Sequence, residues 1–412
     1  MARFSTLFGL CAAALAMGVA ALSPVVIRDS LITLPLARHI NTTASRNIVA
    51  HDQARAKVLR SRSQGAAGVV SDLRKGPDGI PIQESFDVYT VDVQVGTPPT
   101  TYTLIVDTGS SNTWVGAGTP YEQTNSSIDT GDDVVVFYGS GLFEGEEFLD
   151  TVSVGSLTIH NQSIGAAEFA FGFEGFDGIL GLGPTDLTED TTSDGNAVPT
   201  FLDNAFAKSL VQEKTLGISF EPAIGNGELT IGGTNRLKFF GELDFVPLTS
   251  TSPASDYVGI DQSITYGIGR GSTTIMSSTA GIVDTGTTLI LIPSDALATY
   301  QNITGAVLDE DTGFLSITKE QYDNLESLFF HIGKNTYEIT PNAQIWPRAL
   351  NTAIGGEAGS IYLILGDSGV DTGSGLDFIN GYAFLQRFYH AVDYTGERAG
   401  FAFTEYTYAT SN

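Results

Sequence analysis

From Tyr89 onward, apolar and polar residues alternate in short runs that Gly, Pro, Asn and Ser interrupt. Tyr89-Thr90-Val91-Asp92-Val93-Gln94-Val95 leads into Gly96-Thr97-Pro98-Pro99, and another run follows from Thr101 to Val106. Val134 to Tyr138 and Glu147 to Val154 repeat the pattern. A period of two sets alternate side chains on one buried face, so this spacing predicts an all-β fold. Helical spacing is confined to Asp52–Leu59, Pro199–Ser209 and Lys319–Phe330. Ahead of these, Leu7 to Leu22 is almost without polar residues, follows Arg3 and ends among Gly18, Ala20 and Ala21. That pattern predicts a secretory signal with a small-residue cleavage site, and it is short for a membrane span. Residues 1–20 are accordingly read as a signal and 21–65 as a propeptide, with Gly65-Ala66-Ala67-Gly68 as the junction loop. Residues 66–242 and 243–412 are read as two β lobes, the boundary falling near Gly241–Phe245.

Asp-Thr-Gly stands at 107–109 and again at 284–286, each time inside Ile-Val-Asp-Thr-Gly and followed by a hydroxyl residue, Ser110 or Thr287. An apolar strand that ends in a carboxylate and then turns at Gly sets one acid at the tip of a buried element. Two such strands, 177 residues apart, imply two similar lobes able to bring their acids face to face. A third copy, Asp371-Thr372-Gly373, lies in a Gly/Ser-rich stretch and reads as a loop.

Asp107-Thr108-Gly109-Ser110-Ser111-Asn112-Thr113-Trp114-Val115, with Ile282 to Thr288, resembles the two active-site signatures of the pepsin family of aspartic proteases. Three further segments match in order: Tyr138-Gly139-Ser140-Gly141 resembles the flap tip, and Phe176 to Gly183 and Phe378 to Leu385 resemble the strands that complete each active-site loop. The likeness runs from about Ser85 to the C-terminus. Asn342 to Arg348 and Ser277 to Ile282 point, within that family, to a secreted fungal member.

The resemblance implies a bilobal fold of two β-barrel-like lobes, with few short helices, around a central cleft. It implies an acid endopeptidase in which Asp107 and Asp284 are the catalytic pair. Two carboxylates held together resist double ionisation, so such a pair keeps one proton over an acidic range. The ionised partner then takes a proton from water while the other donates to the carbonyl oxygen. By the same resemblance Thr108 and Thr285 tie the two loops together, Ser110 and Thr287 bond the carboxylates, and Gly109 and Gly286 admit the substrate backbone. Tyr138, Gly139 and Ser140 form a mobile lid, with Trp114 as partner of the Tyr138 hydroxyl. Ile179 and Tyr257 line the cleft for apolar side chains. Ser140 departs from the Thr that many relatives carry there, but keeps a hydroxyl.

Charge sharpens the picture. Residues 1–65 carry eight Lys/Arg against Asp29 and Asp52, a balance of +6, which leaves −33 on the remainder of a chain whose net charge is −27. So acidic a surface disfavours nucleic acid as a partner. A basic segment just ahead of an acidic domain suggests an intramolecular inhibitor, with Arg55, Lys57, Arg60 and Arg62 holding it on the cleft. The acidic runs Asp129, Asp132, Asp133 and Glu144, Glu146, Glu147 on either side of the flap read as solvated loops. The only cysteine, Cys11, lies in the signal, which excludes thiol catalysis and Cys-rich metal sites. No metal and no cofactor is expected, and the partners are protein and peptide substrates acted on by a secreted monomer. Asn41, Asn125, Asn161 and Asn302 open N-glycosylation tripeptides.

Three alternatives compete. A catalytically inactive relative that only binds peptides would normally have lost an Asp or its Gly, and both triplets are intact. A two-carboxylate glycosidase has no use for duplicated hydroxyl-bearing triplets. A calcium-stabilised lectin would draw on the acidic loops, but the D-x-[DN]-x-[DN]-G pattern is missing.

Overall fold

A computed structural model describes residues 31–40, 48–61, 87–139, 141–222 and 225–412. The signal, Cys11, Asn41, Arg62, the 65–68 junction and Ser140 lie outside the described residues. Strands dominate and the helices are few and short, as the alternation predicts. Among the described residues they form a thirteen-stranded, a seven-stranded and a three-stranded sheet.

The same local arrangement is built twice, and it positions the two acids. In the first half, Leu104–Asp107 runs parallel to Gly178–Gly181, while Trp114–Val115 pairs antiparallel with that same strand. In the second half, Gly281–Val283 runs parallel to Phe378–Asn380, and Ile290–Leu291 pairs antiparallel with it. Each Asp thus ends a strand whose neighbours are buried apolar residues, including Val106, Leu180, Ile282 and Ile379. Main-chain bonds pin each loop: Leu182 N–H donates to Asp107 O at 2.8 Å and Asp284 N–H to Asn380 O at 3.2 Å.

Two segments ahead of the first β repeat pack against the rest of the fold. Ile32–Ile40 pairs antiparallel with Gly227–Ile231 on one side and with Asp87–Thr90 on the other. Arg38 closes this seam, its Nε donating to Asp87 Oδ1 at 2.8 Å in a buried ion pair. Helix α1 (Ile48–Ser61) follows and buries Ile48, Val49, Asp52, Arg55, Ala56 and Leu59. Those positions recur every three or four residues and so form one face. This is the helical spacing read over 52–59, extended at both ends.

Several elements differ from expectation. The helix expected over 319–330 stops at Asp323, and Leu328–Ile332 is a strand. Leu328, Phe330 and Ile332 are buried with Phe329 and His331 less so, the period of two of a sheet paired on both sides. The N-terminal end holds because Thr318 and Gln321 form a reciprocal capping box. The helix expected over 199–209 is Phe201–Ala207, capped likewise by Thr200 and Asp203. An unforeseen helix, Ser294–Thr304, buries Ala296, Leu297, Tyr300 and Thr304 and ends at Gly305, whose φ of 71° lies in the left-handed region. The acidic runs around the flap lie on its two strands, Ile128–Tyr138 and Gly141–Val154, and not in loops. The triplet at 371–373 is an exposed turn, as expected, with Thr372 bonded to Asp295.

Glu144 and Glu146 are exposed, whereas Glu147 is 5% exposed and accepts a hydrogen bond from the Ser163 hydroxyl. Burial, aided by Asp132 and Asp194 and opposed by Ser163, pushes its carboxyl up to about 7. A carboxyl raised on folding stabilises the fold only while protonated. Its contribution is therefore complete below the ordinary range near 4.5 and is lost as pH rises through about 7. Glu147→Gln should remove roughly 3 kcal/mol of the stability difference between pH 4 and pH 8. Denaturant melts of both proteins at the two pH values measure it; an equal pH dependence would show that Glu147 is not the group responsible.

Candidate active site

Asp107 and Asp284 are both buried, and their loops interlock. Thr108 N–H donates to Thr285 Oγ1 at 3.0 Å, Thr285 N–H donates to Thr108 Oγ1 at 3.1 Å, and Thr285 Oγ1 donates to Val106 O at 2.9 Å. The carboxylates receive matching donors. Asp107 accepts from Gly109 N–H at 2.9 Å and Ser110 Oγ at 2.5 Å; Asp284 accepts from Gly286 N–H at 3.0 Å and Thr287 Oγ1 at 2.5 Å. The glycines are required by proximity. A Cβ on Gly109 would stand 2.6 Å from Asp284 Oδ1, and one on Gly286 would stand 2.6 Å from Asp107 Oδ1.

Arg55 of helix α1 sits on this pair. Its Nη2 donates to Asp107 Oδ1 at 2.6 Å and to Asp284 Oδ1 at 3.0 Å, and its Nε donates to Asp284 Oδ2 at 2.7 Å. A single nitrogen reaching one oxygen from each acid places the two carboxyls side by side. Burial pushes both carboxyls up. For Asp107 burial and the neighbouring Asp284 outweigh Arg55, and its pKa rises. For Asp284 the charge and hydrogen bonds of Arg55, with Thr287 and Gly286, outweigh burial, and its pKa falls. The guanidinium itself is held protonated, because the two aspartates outweigh its own burial. The pair is therefore polarised, Asp107 shifted toward its protonated form and Asp284 toward its ionised form.

Around the acids the flap supplies an aromatic wall. Tyr138 is buried at the hairpin tip, and Trp114 Nε1 donates to its hydroxyl at 2.9 Å. Trp114 stacks on Phe143 with centroids 4.5 Å apart and meets Phe173 edge-on at 4.8 Å. Ile179 and Phe176 belong to the same apolar cluster. Gly139 lies against helix α1 so closely that a Cβ there would collide with the backbone of Arg55. Tyr257 lies under the other end of the helix, its hydroxyl donating to Leu59 O at 2.8 Å.

The structure thus brings Asp107, Thr108, Gly109, Ser110, Asp284, Thr285, Gly286 and Thr287 into one site; Gly139 and Tyr257 touch helix α1, which lies over it, and Tyr138, Trp114 and Ile179 share one apolar cluster. Of the four basic residues expected on the cleft, Arg55 reaches the acids and Arg60 Nη2 donates to Ser368 O at 2.6 Å. Lys57 is exposed, because two residues carry it about 200° around the helix from Arg55. Sequence reasoning missed Phe143 and Phe173, which no motif marks, and Asp52, whose carboxylate accepts from the main-chain N–H groups of Thr288 and Leu289.

Removing only the Tyr138 hydroxyl tests the wall. Tyr138→Phe keeps the ring contacts but leaves the buried indole N–H of Trp114 without its acceptor, a loss of about 1–3 kcal/mol. We expect kcat/KM to fall about tenfold with the fold intact, measured by steady-state hydrolysis and thermal melting. Unfolding of the variant would mark Tyr138 as a core residue.

Comparison with known proteins agrees with this geometry. The sequence profile of the family described as eukaryotic aspartyl protease matches residues 88–404. The chain is 56% identical over 339 residues to polyporopepsin of Irpex lacteus, covering 81% of this chain and 99% of that protein. It is 31% identical over 329 residues to pepsin-2B of Gadus morhua, covering 75% of this chain and 94% of the relative. The crystal structure of the aspartic proteinase from Irpex lacteus superposes with a TM-score of 0.77 at 57% identity, covering 79% of this chain and 96% of that one. Among the described residues no helix is long and apolar enough to cross a membrane. With two interlocked Asp-Thr-Gly loops under an aromatic flap, the chain belongs to the eukaryotic aspartyl protease family and is an aspartic endopeptidase of pepsin-like fold.

Proposed function

We propose that the chain is a secreted acid endopeptidase made as a zymogen, in which Asp107 and Asp284 share one proton and activate water between them. The observation that carries this reading is the pair of carboxylates reached by one Arg55 nitrogen. Once that cation leaves, two buried acids face each other without a counter-charge, and the second ionisation is suppressed. The ionised acid then accepts a proton from a water lodged between them, and the protonated acid donates to the scissile carbonyl. Ser110, Thr287 and the two glycine N–H groups keep both carboxyls in the geometry for that exchange. The flap closes over bound peptide and excludes bulk water. Trp114, Phe143, Phe173, Ile179 and Tyr257 favour apolar side chains on either side of the cut.

Residues 1–20 act as the signal and 21–65 as the inhibitory propeptide, followed by lobes at 66–242 and 243–412. The depressed pKa of Asp284 sets the sign of release. Its ion pair with Arg55 contributes fully above the ordinary Asp value near 3.8 and is lost as pH falls below it. Acid therefore loosens the propeptide while it brings the acids into their working state. The substrates are proteins and peptides, and the enzyme works as a monomer, without nucleic acid or membrane. Digestion of a denatured protein at acid pH, with and without a peptide analogue of the statine type, tests the reading. Cleavage between apolar residues that the analogue blocks is expected; hydrolysis that resists the analogue, or none at all, would refute it.

A further inference from the structure

We propose that the buried amide pair Gln262–Asn380 is a positioning device for Asp284, setting the strand end from which that acid projects. It rests on the reading that Asp284 is one of the two catalytic acids. Gln262 Nε2 donates to Asn380 Oδ1 at 3.2 Å, and Asn380 Nδ2 donates back to Gln262 Oε1 at 2.8 Å. Both side chains are fully buried. Gln262 lies on Gly259–Tyr266 and Asn380 on Phe378–Asn380, the two strands that flank Thr273–Val283. Asp284 is the next residue after Val283. The pair thus joins both neighbours of the strand that delivers the acid. The Asn380 main chain adds to the hold, its carbonyl accepting from Asp284 N–H at 3.2 Å.

The internal repeat shows what this pair replaces. Val106 lies opposite Leu180 as Val283 lies opposite Asn380, and Val91 lies opposite Leu104 as Ile260 lies opposite Gly281. Two residues further along, Gln262 therefore takes the place of Val93. Val93 and Leu180 are buried apolar side chains, so the duplicated scaffold needs no polar pair at this level. Burying two amides is costly, and their mutual bonds offset that cost with little to spare. What such a pair adds is direction, because a fully satisfied buried polar contact fixes one arrangement of the strands that carry it. The main chain supplies a comparable clamp in the first half, where Leu182 N–H donates to Asp107 O at 2.8 Å. The matching Tyr382 N–H donates to Thr287 O at 2.9 Å instead. The amide pair takes over the clamp that is not repeated at Asp284.

The test compares the processed parent with two variants, Gln262→Val/Asn380→Leu, which installs the residues of the first half, and Asn380→Asp. Removing both amides leaves no buried group unpaired, so the double variant should fold with a melting temperature near that of the parent. Its kcat per active site, with sites counted by titration with a statine-type analogue, should fall about tenfold, since a slightly misplaced catalytic group is costly. KM should stay within about twofold, because the loss is felt in the transition state. In Asn380→Asp, a carboxyl buried beside Gln262 keeps its proton in acid and then both donates and accepts, as the amide does. That variant should match the parent at low pH. Its kcat should then decline at a lower pH than the parent's, as the new carboxyl ionises and Gln262 Oε1 loses its donor. A double variant that folds and turns over as fast as the parent would overturn the proposal, and so would an Asn380→Asp enzyme with the parent's pH profile. Should the double variant not fold, the Asn380→Asp profile decides alone. Failure of the underlying reading shows separately, as turnover by Asp284→Asn.

Discussion

Asp107→Asn and Asp284→Asn should each lower kcat for peptide hydrolysis by roughly 10³-fold or more, because each replaces one member of a proton-sharing pair with a group that cannot exchange it. The substitution is isosteric, and the interlocked threonines that define the loops do not involve the altered carboxyl. The fold should survive, with melting temperatures close to that of the parent. One local conflict arises, since an amide nitrogen turned toward Gly109 or Gly286 N–H would face a donor. The oxygen therefore takes that side, which leaves the nitrogen toward the serine or threonine hydroxyl. The variants cannot process themselves under the proposed mechanism, so conversion by a trace of active enzyme precedes the assay. Two near-null variants with intact folds are expected; substantial turnover in either would remove that residue from the mechanism.

Arg55→Ala should have the second-largest effect, and on latency instead of turnover. The guanidinium is the cation that touches both acids, and removing one partner of a buried ion pair typically costs 3–5 kcal/mol. The full chain should accordingly be converted about 10²-fold faster at a pH where the unaltered protein persists, and should bind a statine-type analogue without prior acidification. Arg55→Lys should fall between the two. One ammonium cannot reproduce the fork that serves both oxygens of Asp284 and one of Asp107. After processing, all three proteins should show the same kcat/KM, since residue 55 is no longer present. Equal conversion rates for the parent and Arg55→Ala would show that the guanidinium does not govern access to the acids.

Much of this architecture could be read from residue order. The repeat Ile-Val-Asp-Thr-Gly marks two strand ends, and the alternation from Tyr89 onward marks a β fold, because both depend on local spacing. The helix at 294–304 escaped notice because its buried residues are few and are separated by Thr299, Gln301 and Asn302, which blur the apolar stripe. Leu328 to Phe330 fall inside the helix expected over 319–330 because Leu325, Leu328 and Phe329 also fit a helical period; pairing of Leu328–Ile332 with Gln262–Tyr266 and Asn335–Ile339 decides for strand. The roles of Phe143, Phe173 and Asp52 depend on partners 29 to 237 positions away, such as Trp114 against Phe143 and Leu289 against Asp52. No local pattern encodes such contacts. The burial of Glu147 beside exposed Glu146 was hidden for the same reason, since its partner Ser163 lies on another strand.

The pH dependence of kcat/KM for the processed enzyme, measured on a peptide cut at one bond, tests the shared proton most directly. Two buried carboxyls holding one proton give a bell in which both limbs lie on the acid side of neutrality, one for each step of the coupled pair. A rate that rises through one ionisation and stays level to neutral pH would mean that a single carboxylate suffices.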